Sequence, residues 1–192
     1  MGCVVKIPQA FERTALVTGA PQGIGAAPAP RLAHVNNAGA LDVAPLVDMT
    51  DAMFDCAVAN NLKGTFNGVR AARRRLRENG RIINISSRVV AARYPANGAH
   101  TASKAAVEAL THVMTKELGE QKITVNAVAP RPVGTKAFLR DTAREQRQGI
   151  IAQNPLGRLG QPDDIADVVS LLASEDSGWV NGQVVGVNSG TV

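Results

Sequence analysis

The chain has 192 residues, of which 45% are hydrophobic and 19% charged, with a net charge of +5. This length suffices for one domain, residues 1–192, with a sizeable core, and the composition excludes intrinsic disorder. The apolar runs are too short to span a membrane, and two cysteines, Cys3 and Cys56, exclude both a disulfide framework and a cysteine-rich metal site. We therefore expect no metal and a reducing, cytoplasmic compartment.

The positive charge is concentrated in arginines between residues 70 and 81. They interleave with alanine and leucine rather than with the aromatic residues that would stack on bases, which favours a solvated helix end over a nucleic-acid site. We expect neither a nucleic-acid nor a membrane partner. The first residues lack an apolar signal segment, and Lys6 stands where N-myristoylation needs Ser or Thr, so we expect an ordinary disordered N-terminus.

Short β-rich runs alternate with longer helical patterns along the chain. Strands are predicted at residues 14–18, 35–37, 81–86, 123–128 and 183–187. Helices are predicted from the glycine-rich turn to about Ala33, from Thr50 to about Glu78, from His100 to Leu118 and from Pro162 onwards. A proline-rich loop at 130–135 is followed by a polar segment to about Asn154. The alternation predicts an α/β fold with a parallel sheet.

Residues 18–25, Thr-Gly-Ala-Pro-Gln-Gly-Ile-Gly, lie between the first strand and the first helix. Glycines at this point allow close approach of the backbone to a pyrophosphate, which the helix N-terminus stabilises. The spacing differs from the usual dinucleotide fingerprint, and such a turn can be purely structural.

Further motifs follow this turn in a fixed order. They are Asn36-Asn37-Ala38-Gly39, Asn61-Leu62-Lys63-Gly64-Thr65, Asn84-Ile85-Ser86-Ser87, Ala102-Ser103-Lys104-Ala105-Ala106-Val107, Pro130 to Thr135, Gly160-Gln161-Pro162 and Val180-Asn181-Gly182-Gln183-Val184. Together with the turn, they resemble the short-chain dehydrogenase/reductase family over nearly the whole chain. Within it, the sequence resembles 3-oxoacyl-carrier-protein reductases and NADPH-dependent aldehyde reductases.

The resemblance implies a Rossmann-type doubly wound parallel sheet and NAD(P)(H)-dependent interconversion of a small carbonyl compound and its alcohol. It also implies a homodimer or homotetramer. In the family's terms, Ser87 hydrogen-bonds the substrate carbonyl, Lys104 holds the nicotinamide ribose, and Asn61 supports a proton-relaying water. The residues implied to bind NADP(H) or NAD(H) are Gly19, Gln22, Gly23, Ile24, Gly25, Asn37, Ala38, Gly39, Lys104, Pro130, Val133 and Thr135.

The sequence departs from the family at the acid/base position. His100 stands four residues before Lys104, where the family has tyrosine, and Tyr94 is out of helical register with the lysine. Imidazole can exchange protons near neutral pH, but it reaches about 2 Å less far, and misplacement of that order can cost roughly 100-fold. The Lys104 cation also favours neutral imidazole. His100 is either a tolerated first-turn residue or an adapted catalyst, and we expect weak or no activity.

Two other departures concern the cofactor site. Pro28 and Pro30 fall inside the first predicted helix, which should therefore be short or kinked. Arg131 follows Pro130 where the family has glycine. Its side chain either crowds the nicotinamide pocket or turns into solvent or onto a phosphate.

The largest departure is a missing segment. Only His34-Val35 separates Ala33 from Asn36, so the family's second and third strands and their helices, on the order of 50 residues, are absent. The residue that reads the adenosine ribose belongs to that segment, so NAD and NADP cannot be distinguished, and we expect impaired cofactor binding. The first strand should lie at the sheet edge beside the strand at 35–37, with strained or disordered geometry at 26–36. The missing segment is explained equally well by an evolved deletion and by a splice or gene-model product.

A second hypothesis is a non-catalytic member of the family that acts as an oligomerisation partner or scaffold. The two long predicted helices, Thr50 to Glu78 and His100 to Leu118, pair across a dimer in the family. Substrate identity is not specified, because the segment from Phe138 to Leu156 carries no diagnostic residues.

Overall fold

A six-stranded sheet organises the part of the chain that the computed structural model describes, residues 3–5, 15–17 and 33–191. Its strands lie in chain order: β1 Cys3–Val5, β2 Ala15–Val17, β3 Ala33–Asn36, β4 Arg81–Ile85, β5 Thr124–Pro130 and β6 Val184–Val187. Strands β2 to β6 are parallel, and β1 pairs antiparallel with β2. The predicted α/β fold with a parallel sheet is confirmed.

Strand β2 pairs directly with β3, as expected if the family's second and third strands are missing between them. One related expectation was wrong. The edge of the sheet is β1 rather than β2, because residues 3–5, predicted to be disordered, form a strand. Of the segment 26–36, expected to be strained or disordered, residues 33–36 form a buried strand paired on both sides, and residues 26–32 lie outside the described residues. The glycine-rich turn, Pro28 and Pro30 lie outside the described residues.

Seven α-helices connect and cover the described strands. They are α1 Asp51–Ala57, α2 Gly64–Arg73, α3 Val89–Ala92, α4 Gly98–Glu117, α5 Lys136–Asp141, α6 Arg144–Ala152 and α7 Pro162–Ala173. A π-helical segment, Val58–Lys63, joins α1 to α2 without a break. The segment after Thr135, predicted only as polar, thus contains two helices. None of the helices in the described ranges is both long and apolar enough to cross a membrane.

The long helix begins as predicted and ends early. Thr50 caps α1 by accepting a hydrogen bond from the Met53 amide. At the other end, the amides of Arg75 and Leu76 both donate to the Ala72 carbonyl, and Leu76 packs against the core. This contact closes the helix at residue 73 instead of near Glu78.

The arginine-rich segment does not form one solvated helix end. Arg70 and Arg73 are exposed on α2, but Arg81 begins β4 and is 5% exposed. Its guanidinium donates to the carbonyls of Asn79 and Gly80 at 2.8 and 3.1 Å. The expectation of a solvated face is therefore wrong for Arg81, which satisfies carbonyls at the start of a buried strand.

Hydrophobic clusters lie on both faces of the sheet. Because successive strand residues point to opposite faces, Ile82 packs with Val69 and Met114 of the α2–α4 side, and Ile83 packs with Ile165 of α7. Helices therefore cover both faces, as the Rossmann-type resemblance implies. The carboxyl ends of β3, β4 and β5 meet at one edge, which is where ligands bind in such sheets.

Candidate active site

A cleft of about 360 Å³ opens beyond the carboxyl ends of β4 and β5. Three of the four residues predicted to be catalytic, Ser87, His100 and Lys104, line it, and the fourth, Asn61, lies behind His100 with no exposed surface. Of the residues predicted to bind the cofactor, Pro130, Val133 and Thr135 also line this cleft, together with Lys104. Gly19, Gln22, Gly23, Ile24 and Gly25 lie outside the described residues.

Asn61 is turned inward by the π-helical segment, a distortion that is common at functional sites. Its Oδ1 accepts from the Ala40 amide at 2.8 Å. Its Nδ2 donates to the Ala40 carbonyl and to Ser103 Oγ, each at 3.0 Å. Asn61 therefore ties the chain after β3 to helix α4, which carries His100 and Lys104.

Gly39 permits a close approach between the Asn37-Ala38-Gly39 segment and the site. A Cβ at residue 39 would stand 3.0 Å from Asn61 Oδ1 and 3.5 Å from Lys104 Nζ. A side chain here would compete for the space around the lysine ammonium. The structure thus places Gly39 beside two predicted catalytic residues, although Asn37, Ala38 and Gly39 do not line the cleft itself.

The imidazole of His100 is held by the same group of residues. Its Nδ1 lies 3.2 Å from the Ala40 carbonyl oxygen and 3.5 Å from Asn61 Nδ2. Because both protons of that amide are already donated, Nδ1 carries a proton and donates it to Ala40. Nε2 is then the nitrogen that can exchange a proton.

Burial lowers the pKa of His100, the charge of Lys104 lowers it further, and the hydrogen bond with the Ala40 carbonyl acts in the opposite direction. The ring is therefore neutral at pH 7, in agreement with the effect expected of Lys104. A neutral imidazole accepts a proton readily and has none to give from Nε2.

Lys104 is 5% exposed and lies one helical turn after His100. Its Nζ donates to the carbonyl of Ile85, the last residue of β4, at 2.7 Å. Burial lowers its pKa to about 8. The ammonium has three protons, and two remain for other acceptors after this bond.

Ser87 follows β4, and its Oγ accepts a hydrogen bond from the Val89 amide at 3.3 Å. The hydroxyl proton is therefore available to a carbonyl oxygen in the cleft. The neighbouring Ser86 hydroxyl instead donates to Glu108 at 2.6 Å.

Two polar side chains that line the cleft, Tyr94 and Arg88, were not among the predicted site residues. Tyr94, judged out of register with Lys104, lies in the cleft wall, and its hydroxyl accepts from Nη2 of Arg131 at 3.1 Å. Arg131 therefore lies along the cleft, which agrees with the first of the two sequence alternatives, and its contact with the phenol was not predicted. Arg88, which directly follows Ser87, also lines the cleft, and that adjacency was the only available signal.

Comparison with known proteins places this geometry in context. A family model described as enoyl-(acyl carrier protein) reductase matches residues 22–192. A short-chain type dehydrogenase/reductase of Picea abies is 44% identical over 162 residues, which cover 82% of this chain and 60% of that protein. The chloroplastic NADPH-dependent aldehyde reductase 2 of Arabidopsis thaliana is 41% identical over 160 residues, covering 81% and 59%.

A solved structure is similar over the same extent. The angucycline C-6 ketoreductase LanV with bound NADP superimposes with a TM-score of 0.79 and 34% identity, covering 84% of this chain and 62% of that one. The present chain thus spans about six tenths of the length of each of these three proteins.

Proposed function

This chain belongs to the short-chain dehydrogenase/reductase family, and we propose that its cleft interconverts a small carbonyl compound and its alcohol with NAD(P)(H), with weak or no turnover. The observation that carries the proposal is the convergence of Ser87, His100 and Lys104 on one cleft, with Asn61 holding the Ala40 carbonyl that His100 contacts from behind. The aldehyde reductase and ketoreductase relatives support the reaction class and the nicotinamide cofactor.

The described residues fit the nicotinamide side of such a cofactor. Lys104 has ammonium protons left for ribose hydroxyls, and Gly39 keeps the space beside that ammonium free of a side chain. When bound, the cofactor exchanges hydride with the carbonyl carbon. The adenine side lacks the family's second strand in this sequence, which supports weak binding.

The chain's own residues divide the remaining chemistry between them. Ser87 donates its hydroxyl proton to the substrate oxygen, and His100 exchanges a proton with that oxygen through Nε2. Asn61 acts as a positioning residue, since its amide fixes the Ala40 carbonyl that orients the imidazole. Reduction is slow at neutral pH because the proton donor is mostly deprotonated.

Substitution of the acid/base position tests this proposal. His100→Tyr restores the family's residue one helical turn before Lys104 and should raise NADPH-dependent reduction on the order of 100-fold. His100→Phe fills similar space without a proton to exchange and serves as the matched control. Oxidation of NADPH is followed with a panel of aldehydes and ketones. Equal rates for the Tyr and Phe variants would contradict a role for residue 100 in proton transfer.

A non-catalytic scaffold is the second candidate function. It is favoured by large apolar side chains exposed on the two long helices, Phe54, Phe66 and Val113, which are 42–50% exposed. The experiment is co-purification with a full-length family member in the absence of nucleotide. Association lost in a Phe66→Glu variant but kept in Phe138→Glu, on a different part of the chain, would support the scaffold.

A further inference from the structure

The cleft has an unusual charge balance. Its described lining residues include three basic side chains, Arg88, Lys104 and Arg131, and no aspartate or glutamate. Lys104 is hydrogen-bonded to the Ile85 carbonyl. The two arginines have no acidic side chain beside them among the described residues that line the cleft. Among residues 1–32 the sequence contains one acidic residue, Glu12. Such a cleft attracts anions.

The two guanidinium groups also carry unused hydrogen-bond donors. Nε of Arg88 and Nη1 of Arg131 are buried, and in the described part of the chain neither has a hydrogen-bond partner. Buried donors, and charged ones above all, are normally paired, because an unpaired one loses its hydration without compensation. The unpaired charge of these two guanidinium groups therefore favours an anion in the cleft that the two residues line.

The backbone segments that carry the two arginines are hydrogen-bonded to each other. The Arg88 amide donates to the carbonyl of Pro130, the residue before Arg131, at 2.9 Å. The Tyr94 hydroxyl fixes the other end of the Arg131 guanidinium. Gly186 lies against Arg88, since a Cβ there would be 3.6 Å from Nη1. The pair is therefore oriented by its surroundings before any ligand binds.

We propose that Arg88 and Arg131 form a carboxylate-binding subsite, and that the substrate is an oxo acid rather than a neutral ketone. Arginine donates in a planar fork that matches a carboxylate. Because Arg88 directly follows Ser87, the carboxylate lies near the carbonyl that Ser87 contacts. Leu41, Val89 and Phe138 line the same cleft and suit an apolar or aromatic remainder. This inference rests on the proposed reductase function for the identity of the carbonyl group.

Binding without nucleotide tests the subsite independently of turnover. Phenylglyoxylate and its methyl ester share the ketone and the ring and differ in the carboxylate charge. Calorimetry should show the acid binding at least about 10-fold more tightly, as expected for hydrogen bonds to a charged group. Raising the ionic strength from about 0.05 M to about 0.5 M should weaken the binding of the acid and leave the binding of the ester unchanged. Equal affinities for acid and ester would overturn the proposal.

Substitutions show which arginines cause the tighter binding of the acid. Arg88→Met and Arg131→Met should each weaken the binding of phenylglyoxylate by about 10-fold or more and leave the binding of the ester unaffected. Arg93→Met removes an exposed arginine next to the cleft residue Tyr94 and is the matched control, expected to bind as the parent does. Circular dichroism confirms that each variant is folded. Parental affinity in both cleft variants would contradict the assignment.

A cofactor phosphate is the other anion that two arginines could bind. Nicotinamide mononucleotide is therefore added as a competitor, and undiminished binding of phenylglyoxylate is expected. Displacement of the acid would assign the arginines to the phosphate and overturn the proposal. Binding of the oxo acid with no turnover in either the parent or the His100→Tyr variant would retain the subsite and remove the reductase function. Turnover of neutral ketones by His100→Tyr without binding of the acid would retain the reductase function and remove the subsite.

Discussion

The protonation state of one side chain, His100, governs which direction of the proposed reaction is supported. Its Nδ1 is committed to the Ala40 carbonyl, and its pKa is lowered by burial and by Lys104. In the neutral ring, Nε2 can accept the proton of an alcohol but cannot supply one to a carbonyl oxygen. In the proposed reaction, a neutral His100 thus suits alcohol oxidation better than carbonyl reduction at neutral pH.

This asymmetry predicts opposite pH dependences for the two directions. Because burial and the charge of Lys104 lower the pKa of His100, the rate of reduction should rise as the pH falls from about 8 to about 5, and alcohol oxidation should decline. Initial rates in both directions measure this, and His100→Tyr should abolish the acid-side rise in reduction. A rate of reduction that declines as the pH is lowered in the parent chain would contradict the assignment.

The sequence predicts the backbone of this cleft better than its side-chain contacts. Ser87 and Lys104 line one cleft because a strand end and a helical spacing fix local geometry, and their catalytic roles stay a prediction. The contact between Arg131 and Tyr94 joins residues 37 apart through loops, and no periodic pattern specifies the direction of such side chains.

Among the elements, the contact between α2 and β3 is the tightest near the site. The His34 ring contacts Asn36 Oδ1 at 2.7 Å, and Asn36 in turn donates to Asn84 of β4. Asn84 donates to Thr111 of α4 at 2.9 Å. Gly68 of α2 lies directly over this polar chain, since a Cβ there would overlap Asn36 Oδ1 and stand 2.7 Å from His34 Nε2.

We therefore expect Gly68→Ala to lower the free energy of unfolding by about 2–3 kcal/mol, through overpacking of a buried hydrogen-bonded contact. The matched control is Gly149→Ala in α6, where the added Cβ meets nothing within 4 Å. That change should stabilise by about 0.5–1 kcal/mol through helix propensity. Urea unfolding measures both. A Gly68→Ala variant as stable as the parent would contradict the packing described.

His34 should make the fold sensitive to acid. Asn36 uses its amide protons toward Asn84, so His34 Nε2 donates to Asn36, and Nδ1 is buried with no hydrogen-bond partner in the described residues. Burial lowers the pKa of His34. The unfolded chain then binds a proton at higher pH than the folded chain, so stability is lost as pH falls below about 6.5.

The free energy of unfolding, measured between about pH 7 and pH 5, tests this. His34→Gln keeps an N–H donor but does not titrate. In this variant the free energy of unfolding should decrease less as the pH falls. His112→Gln, exposed on the same helix as His100, is the control and should leave the loss in place. A loss that is equal in parent and His34→Gln would exclude this histidine as its source.

The elements themselves were predictable to differing degrees. Strands β4 and β5 and helices α4 and α7 were predicted because each carries a sustained periodic pattern with clear end signals. Helices α5 and α6 were missed because they are short and bury no side chain. The early end of α2 depends on Leu76 reaching the core, a tertiary contact that local pattern does not contain.

On the scale of the whole molecule, the described sheet keeps a parallel order around the candidate site. The strands that carry Ser87 and Pro130 keep their parallel neighbours, and β2 lies directly beside β3. The sequence predicted this adjacency from the missing segment. It did not predict β1, because three apolar residues near the N-terminus carry no pattern that distinguishes a strand from an unstructured tail.

In the proposed function, the cleft binds the nicotinamide side of the cofactor, whereas the sequence lacks the strand that reads the adenosine in the family. Calorimetric titration with NADPH and with NADH measures the consequence, since Trp179 is fully exposed and its fluorescence need not report on the cleft. We expect a Kd of about 1 mM or weaker for both nucleotides, with little discrimination between them. A Kd near about 1 μM for either nucleotide would show that tight binding does not need the missing strand.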